Sequence, residues 1–298
     1  MKNGKLMVIS GPTASGKTQL AYQLAQAWNC PILSADSRQI YKEVDIGTGK
    51  PTQYMLESVT HHFINHVPVD GSYSVGQFET ETLLLINQLF ENHKTIILCG
   101  GTGLYLQAIV KGLDALPPSD DDSRRSVQYL LEEGGLIALQ ERLKSIDPGY
   151  YDEVDLNNLR RVSRALEVYH MTGKPFSSFR IGTPIVRPFQ IRELCLMPDR
   201  ETLYYQINQR VLSMIQMGWI EEAKRLSSYQ NCHALASVGY PEIFNYLRRQ
   251  SSLEETIALI QQKTRNYAKR QITWFRKTSL ENFVDPKSID VEELMRSM

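Results

Sequence analysis

Gly11-Pro12-Thr13-Ala14-Ser15-Gly16-Lys17-Thr18 reads GPTASGKT, a complete match to the phosphate-binding pattern G-x-x-x-x-G-K-[ST]. The glycines let the backbone curl until several amide N–H groups point into one hollow. Lys17 adds a full positive charge there, and a helix beginning at the loop adds its N-terminal partial charge. The Thr18 hydroxyl is placed to reach a Mg²⁺ ion or a phosphate oxygen. The flanks agree with this reading. Leu6–Ser10 (LMVIS) is a short apolar strand, and Leu20, Ala21, Leu24, Ala25 and Trp28 recur at helical spacing after the loop. Strand, loop and helix in that order predict an α/β fold: a P-loop parallel sheet flanked by helices, holding a di- or triphosphate. The loop alone does not say which compound, or for what reaction.

Beyond the first helix, Pro31–Ala35 (PILSA) reads as a second strand ending in Asp36-Ser37. An acid at the carboxyl end of a parallel strand lies at the crevice where such sheets bind ligands, though Asp and Ser also serve as helix caps. Ile40–Pro51 is punctuated by glycine and proline and reads as loop. His61, His62 and His66 cluster without a carboxylate or cysteine at ligand spacing, which favours a structural role over a metal site. Phe78–Phe90 is helical by period. Thr95–Cys99 is a buried strand running into Gly100-Gly101-Thr102-Gly103, a second glycine-rich turn that opens a helix. Where an ATP-hydrolysing P-loop enzyme carries an acid for Mg²⁺, this strand ends in Cys99-Gly100. The chemistry therefore need not be ordinary phosphoryl transfer.

From Leu116 the chain turns polar and then purely helical, and Arg192–Met197 (RELCLM) reads as a strand returning to the sheet. The expected organisation is a catalytic core of residues 1–115 and 186–298 around a small all-helical insertion, 116–185. Within the insertion, Leu159–Met171 carries Arg160, Arg161 and Arg164, with Arg160 and Arg164 on one face. Thr202–Leu226 is a long helix interrupted near Gly218 and carrying Arg210. A last helix, Glu254–Lys277, interleaves Lys263, Arg265, Lys269, Arg270, Arg276 and Lys277 with Tyr267, Trp274 and Phe275. That mixture suits a phosphate backbone and an unstacked base, or else a solvated face opposite an aromatic core face.

Composition narrows the setting. The 298 residues carry 33 basic and 33 acidic side chains, so no global field recruits nucleic acid and any basic surface is local. Cys30, Cys99, Cys195 and Cys232 form no C-x-x-C pair and read as reduced thiols of a cytoplasmic protein. No apolar run approaches the roughly 18–20 residues of a membrane span. A cleaved leader would remove the first strand and the loop, so none is expected.

Several motifs together are similar to one family, the tRNA dimethylallyltransferases or tRNA isopentenyltransferases. They are GPTASGKT, DSRQIYKEVDIGTGKP (Asp36–Pro51), HHFIN (His61–Asn65), YSVGQF (Tyr73–Phe78) and GGTGLYL (Gly100–Leu106). Further on come RRVSRALEVYHMTGKP (Arg161–Pro175), VGY (Val238–Tyr240) and YAKRQITWFR (Tyr267–Arg276). The resemblance implies transfer of a dimethylallyl group from dimethylallyl pyrophosphate to N6 of the adenosine immediately 3′ of the anticodon, in tRNAs reading codons that begin with U. It implies that Gly11, Thr13, Ala14, Ser15, Gly16, Lys17 and Thr18 hold the pyrophosphate, with Mg²⁺ on the Thr18 hydroxyl. It implies catalysis by Asp36 as general base at N6, with Thr18, and with Arg210 clamping the pyrophosphate. It places Asp36, Ser37, Arg38, Gln39, Thr102, Arg124, Arg160, Arg161, Arg164, Lys269, Arg270 and Arg276 along the anticodon arm of the tRNA. The insertion is expected to close over the RNA as a lid, and the enzyme to be monomeric, cytoplasmic and free of membrane.

The chain departs from the family pattern at Asp155-Leu156-Asn157-Asn158, where many members carry H-P-N-D, and at Ala236 and Pro241, where basic residues are common. The residues support the chemistry on their own account. An ionising allylic pyrophosphate needs fixed positive potential where its leaving group gathers charge, and the weakly nucleophilic adenine amine needs a base. The rivals are a small-molecule or nucleotide kinase, which the basic aromatic helix fits poorly, and a nucleotide-gated RNA-binding switch, which lacks an N-K-x-D motif.

Overall fold

The computed structural model of the chain describes residues 4–118, 120–180, 182, 185–278 and 282–296. The chain divides into two units, Met1–Lys111 with Arg187–Met298, and Gly112–Val186.

The first unit is built on a six-stranded sheet. Its strands are β1 (Lys5–Ser10), β2 (Ile32–Ser34), β3 (His61–His62), β4 (Thr95–Gly100), β5 (Gln190–Leu196) and β6 (Phe283–Val284), in the order β3-β2-β4-β1-β5-β6. Every neighbouring pair is parallel. Before the chain leaves this unit it forms the helices α1 (Lys17–Trp28), α2 (Gln53–Ser58), α3 (Val75–Leu89) and α4 (Gly103–Val110); the next three, α5 (Asp121–Ile146), α6 (Pro148–Glu153) and α7 (Leu159–Thr172), belong to the other unit. After the chain returns come α8 (Arg200–Gln216), α9 (Trp219–Arg225), α10 (Tyr240–Leu247), α11 (Leu253–Lys277) and α12 (Val291–Arg296).

Alternation along β1 explains the layering. Leu6 and Val8 point to a core shared with Phe78 and Ile86 of α3 and Phe275 of α11. Met7 and Ile9 point the other way, into a core with Leu20 and Leu24 of α1. Both faces are covered, so β1 reads as a continuous apolar run. A third core lies off the sheet, where Ile40, Tyr41 and Val44 pack against Trp219, Tyr240, Ile243 and Ile260. The edge strands β3 and β6 are two residues each, too short to leave a period in the sequence. The expected long helix 202–226 is interrupted at Gly218 (φ 99), which separates α8 from α9.

In the second unit, α5 (Asp121–Ile146), α6 (Pro148–Glu153) and α7 (Leu159–Thr172) surround a core of Val127, Leu139, Leu143, Tyr150, Val162 and Leu166. Gly135 (φ 65) kinks α5. At the departure from the family pattern, Asn158 caps α7 by accepting the Arg161 N–H at 3.2 Å. Among the described residues no helix is long and apolar enough to cross a membrane.

Candidate active site

The phosphate loop leaves the carboxyl end of β1, between β4 and β5, where Ser10 is in register with Gly100 and Cys195. Ala14 (φ 62) and Gly16 (φ 90) alternate into the left-handed region, which turns successive N–H groups toward one hollow. A side chain caps each of α3, α8 and α11, but α1 begins at Gly16 with none. Its first-turn N–H groups are left for another acceptor. Lys17 Nζ curls back to donate to Pro12 O at 2.6 Å and lies 3.5 Å from Ser15 Oγ. Burial lowers the Lys17 ammonium to about 8; Cys99 and Asp36 oppose that shift and the charge of Arg210 adds to it.

Loop, Asp36 and Arg210 line one cavity of about 380 Å³, together with Thr18, Gly100, Tyr267 and Arg270. Asp36 follows β2 by two residues. Its Oδ1 accepts the N–H groups of Arg38 at 2.8 Å and Gln39 at 3.3 Å, fixing the turn, while Oδ2 has no hydrogen-bond partner among the described residues. The capping and the catalytic readings of Asp36 are thus compatible, one oxygen for each. Arg210, from α8, is half-buried; desolvation of its guanidinium lowers its pKa, and the charge of Asp36 offsets this. At the end of β4, burial pushes the Cys99 thiol up to about 12, so that position is uncharged at neutral pH.

The other expected site residues separate into groups. The backbone N–H of Ser37 donates to Thr102 Oγ1 at 3.0 Å, tying the turn after β2 to the start of α4. Arg38 donates to the carbonyl of His233. Gln39 accepts from Ser34 Oγ at 3.2 Å and donates to Gly49 O at 3.2 Å, so its amide is held internally. Arg270 lines the cavity and sits over the Tyr267 ring at 5.7 Å, while Lys269 and Arg276 are exposed. Of the interleaved aromatics, Tyr267 faces the cavity; Phe275 is buried and Trp274 packs against the same core, so those two serve the core face of α11.

Arg124, Arg160, Arg161 and Arg164 belong to the second unit. Arg124 pairs with Asp121 at 3.4 Å in solvent, and Arg160 and Arg161 are exposed. Arg164 differs from the solvated face its spacing suggests: it donates to Pro117 O and to Glu167 at 3.3 Å. Two of the three clustered histidines are held by neighbours within the fold. His61 Nδ1 lies 2.8 Å from Val59 O, His66 pairs with Glu81 at 3.0 Å, and no metal-binding group of His, Cys, Asp or Glu occurs among the described residues.

One site residue escapes the sequence reading. Gln271 of α11 accepts the Thr13 N–H at 2.8 Å and donates to Gly101 O at 2.9 Å, bracing the phosphate loop against the second glycine-rich turn. The signal was there. Ala268, Gln271 and Phe275 form the buried stripe of α11, and a polar residue in such a stripe requires hydrogen-bond partners.

Comparison with known proteins identifies the family. The IPP transferase family model matches residues 39–278. The chain is 43% identical over 287 residues to a tRNA dimethylallyltransferase of Cytophaga hutchinsonii, covering 96% of this chain and 94% of that one. Among solved structures, a tRNA isopentenylpyrophosphate transferase of Bacillus halodurans is 34% identical with a TM-score of 0.71, over 98% of this chain and 93% of that one. A eukaryotic dimethylallyltransferase acting on tRNA superposes with a TM-score of 0.81 at 29% identity, over 97% of this chain and 75% of that one. The chain belongs to the IPP transferase family, the tRNA dimethylallyltransferases.

Proposed function

We propose that this chain, a tRNA prenyltransferase by family, takes its dimethylallyl group from dimethylallyl pyrophosphate. The acceptor is N6 of the adenosine immediately 3′ of the anticodon, in tRNAs reading codons that begin with U. The observation that carries the reading is one cavity bringing together the phosphate loop, a half-buried arginine and an aspartate with one oxygen unpartnered among the described residues. The bond from the allylic carbon to oxygen breaks, and its electron pair leaves with pyrophosphate. The N6 lone pair forms the new carbon–nitrogen bond, and the N6 proton passes to Asp36 Oδ2. Loop N–H groups, Lys17 and Arg210 hold positive potential where the leaving group gathers charge, without reorganising during the step. No acid is needed at the end of β4, because no γ-phosphate moves.

The donor set suits Mg²⁺, a hard cation that takes one or two protein oxygens and completes its shell with phosphate and water. Thr18 supplies a hydroxyl in the cavity wall. The ion, when bound, would add Lewis-acid stabilisation of the leaving pyrophosphate. Arg270, Lys269 and Arg276 on α11, and Arg124, Arg160 and Arg161 on the helical unit, are the exposed cations offered to the tRNA backbone. The enzyme acts as a monomer in the cytoplasm. Incubation with radiolabelled dimethylallyl pyrophosphate and tRNA, in parallel with labelled ATP and tRNA, tests the reading. Label entering tRNA from the prenyl donor alone is expected; transfer from ATP alone would identify a kinase.

A further inference from the structure

The loop that follows the Asp36 turn is held from beneath by a carboxylate. Glu222 of α9 is 1% exposed. Its Oε2 accepts the N–H groups of Asp45 at 2.9 Å and Ile46 at 2.8 Å, and its Oε1 accepts those of Gly47 at 2.9 Å and the Tyr240 hydroxyl at 2.7 Å. A buried carboxylate is costly unless its lone pairs are met, and four donors meet them here. The loop backbone lies directly on this floor: a Cβ on Gly47 would fall 2.2 Å from Trp219 Nε1 and 2.5 Å from the Tyr240 hydroxyl.

From that anchor the loop closes tightly, with Gly49 N–H donating to Ile46 O at 2.9 Å and Thr48 Oγ1 to Val44 O at 2.6 Å. Its far end meets the active site. Gly49 O accepts Gln39 Nε2 at 3.2 Å and lies 3.5 Å from Arg210 Nη2. Gly49 has φ +60, and a Cβ there would lie 1.7 Å from Arg210 Nη2, so the backbone of this loop is one wall of the guanidinium's seat.

We propose that Glu222 is a positioning residue for the pyrophosphate site: by drawing three consecutive N–H groups onto one buried carboxylate, it sets the loop that seats Arg210. The inference rests on the reading of Arg210 as the pyrophosphate clamp. A glutamine at this position keeps the shape but turns an NH₂ toward backbone donors, so the loop must shift. A misplacement of 1 Å near reacting groups can cost about 10²-fold in rate.

The test is a double-mutant cycle on pyrophosphate binding, measured by calorimetry in wild type, Glu222→Gln, Arg210→Ala and the double variant, with thermal melting to confirm folding. Glu222→Gln is expected to lose about tenfold in pyrophosphate affinity and to lower single-turnover rate by up to about 10²-fold, with tRNA affinity unchanged. In the Arg210→Ala background the same substitution should change pyrophosphate binding little, because the two act through one contact. A folded Glu222→Gln protein with wild-type pyrophosphate affinity, or a loss that adds in full to that of Arg210→Ala, overturns the proposal. Should Glu222→Gln not fold, Glu222→Asp carries the same cycle. It keeps the charge but withdraws the acceptors, so a smaller loss confined to the Arg210 background supports the proposal, and no loss or an additive one overturns it. Unchanged binding in Arg210→Ala alone would instead overturn the clamp reading.

Discussion

Two loops of the same unit aim runs of backbone N–H groups into a hollow, and the chain fills only one of them with its own charge. At Asp45–Gly47 the acceptor is Glu222, delivered by a helix more than 170 positions away in the sequence. At the phosphate loop no side chain caps α1; Gln271 takes a single N–H, and the half-buried cations Lys17 and Arg210 are desolvated, with depressed pKa. The first arrangement is satisfied and rigid. The second carries an electrostatic cost that an incoming anion relieves, which is what a binding site for pyrophosphate requires.

Removing charge from the second loop should have the largest effect. Lys17→Ala and Arg210→Ala are each expected to lower the single-turnover rate by about 10² to 10³, the scale of losing one preorganised donor. Asp36→Ala should lose about 10²-fold or more with little change in tRNA binding, as for a general base. Quench-flow with labelled prenyl donor measures all three, and wild-type turnover in any of them would remove that residue from the chemistry.

A pH titration sharpens the contrast. In the free enzyme burial brings Lys17 to about 8, against 10.5 for an ordinary lysine, so the ammonium loses its proton as pH rises through 8. The guanidinium of Lys17→Arg does not titrate in this range. Pyrophosphate affinity of wild type relative to Lys17→Arg should therefore be flat below pH 8 and fall above it, toward about tenfold per unit. The sign for stability is the opposite. The unfolded chain binds the extra proton between 8 and 10.5, so the cost of burying the ammonium is carried in full below 8 and relieved above it. Thermal melts of Lys17→Met should show a more stable free protein at neutral pH, with the advantage shrinking at alkaline pH.

The same distinction separates two arginines of α7, with the smallest effects. Arg160 is exposed, whereas Arg164 is hydrogen-bonded to Pro117 O and Glu167 inside its unit. Arg160→Ala should flatten the salt dependence of tRNA binding by about one unit of log–log slope. Arg164→Ala should leave that slope alone and lower the melting temperature instead. Titration at several salt concentrations reads the first, and a slope unchanged in Arg160→Ala makes this face merely solvated.

The sheet was legible because its evidence is local. LMVIS, GPTASGKT and the periodic run after them specify strand, loop and helix over 24 consecutive residues, Lys5–Trp28, and the structure has them there. The end of β2 and the glycine-rich turn after β4 were legible for the same reason, and their register puts Asp36 beside the loop. The aromatics of α11 were not resolved by composition, since Tyr267 and Phe275 lie on different faces of one helix and only packing says which is core.

Sequence alone determined the fold class, the strand–loop–helix that carries GPTASGKT and the acid that follows β2, because glycine conformation, strand alternation and helical period act over a few residues. Tertiary structure alone decided how those parts are held. Glu222 and Gln271 look like ordinary polar residues of surface helices until burial leaves each 1% and 7% exposed against loops distant in the chain. What a carboxylate or an amide is worth depends on the dielectric around it and on the donors that reach it, and both are set only when separate segments pack together.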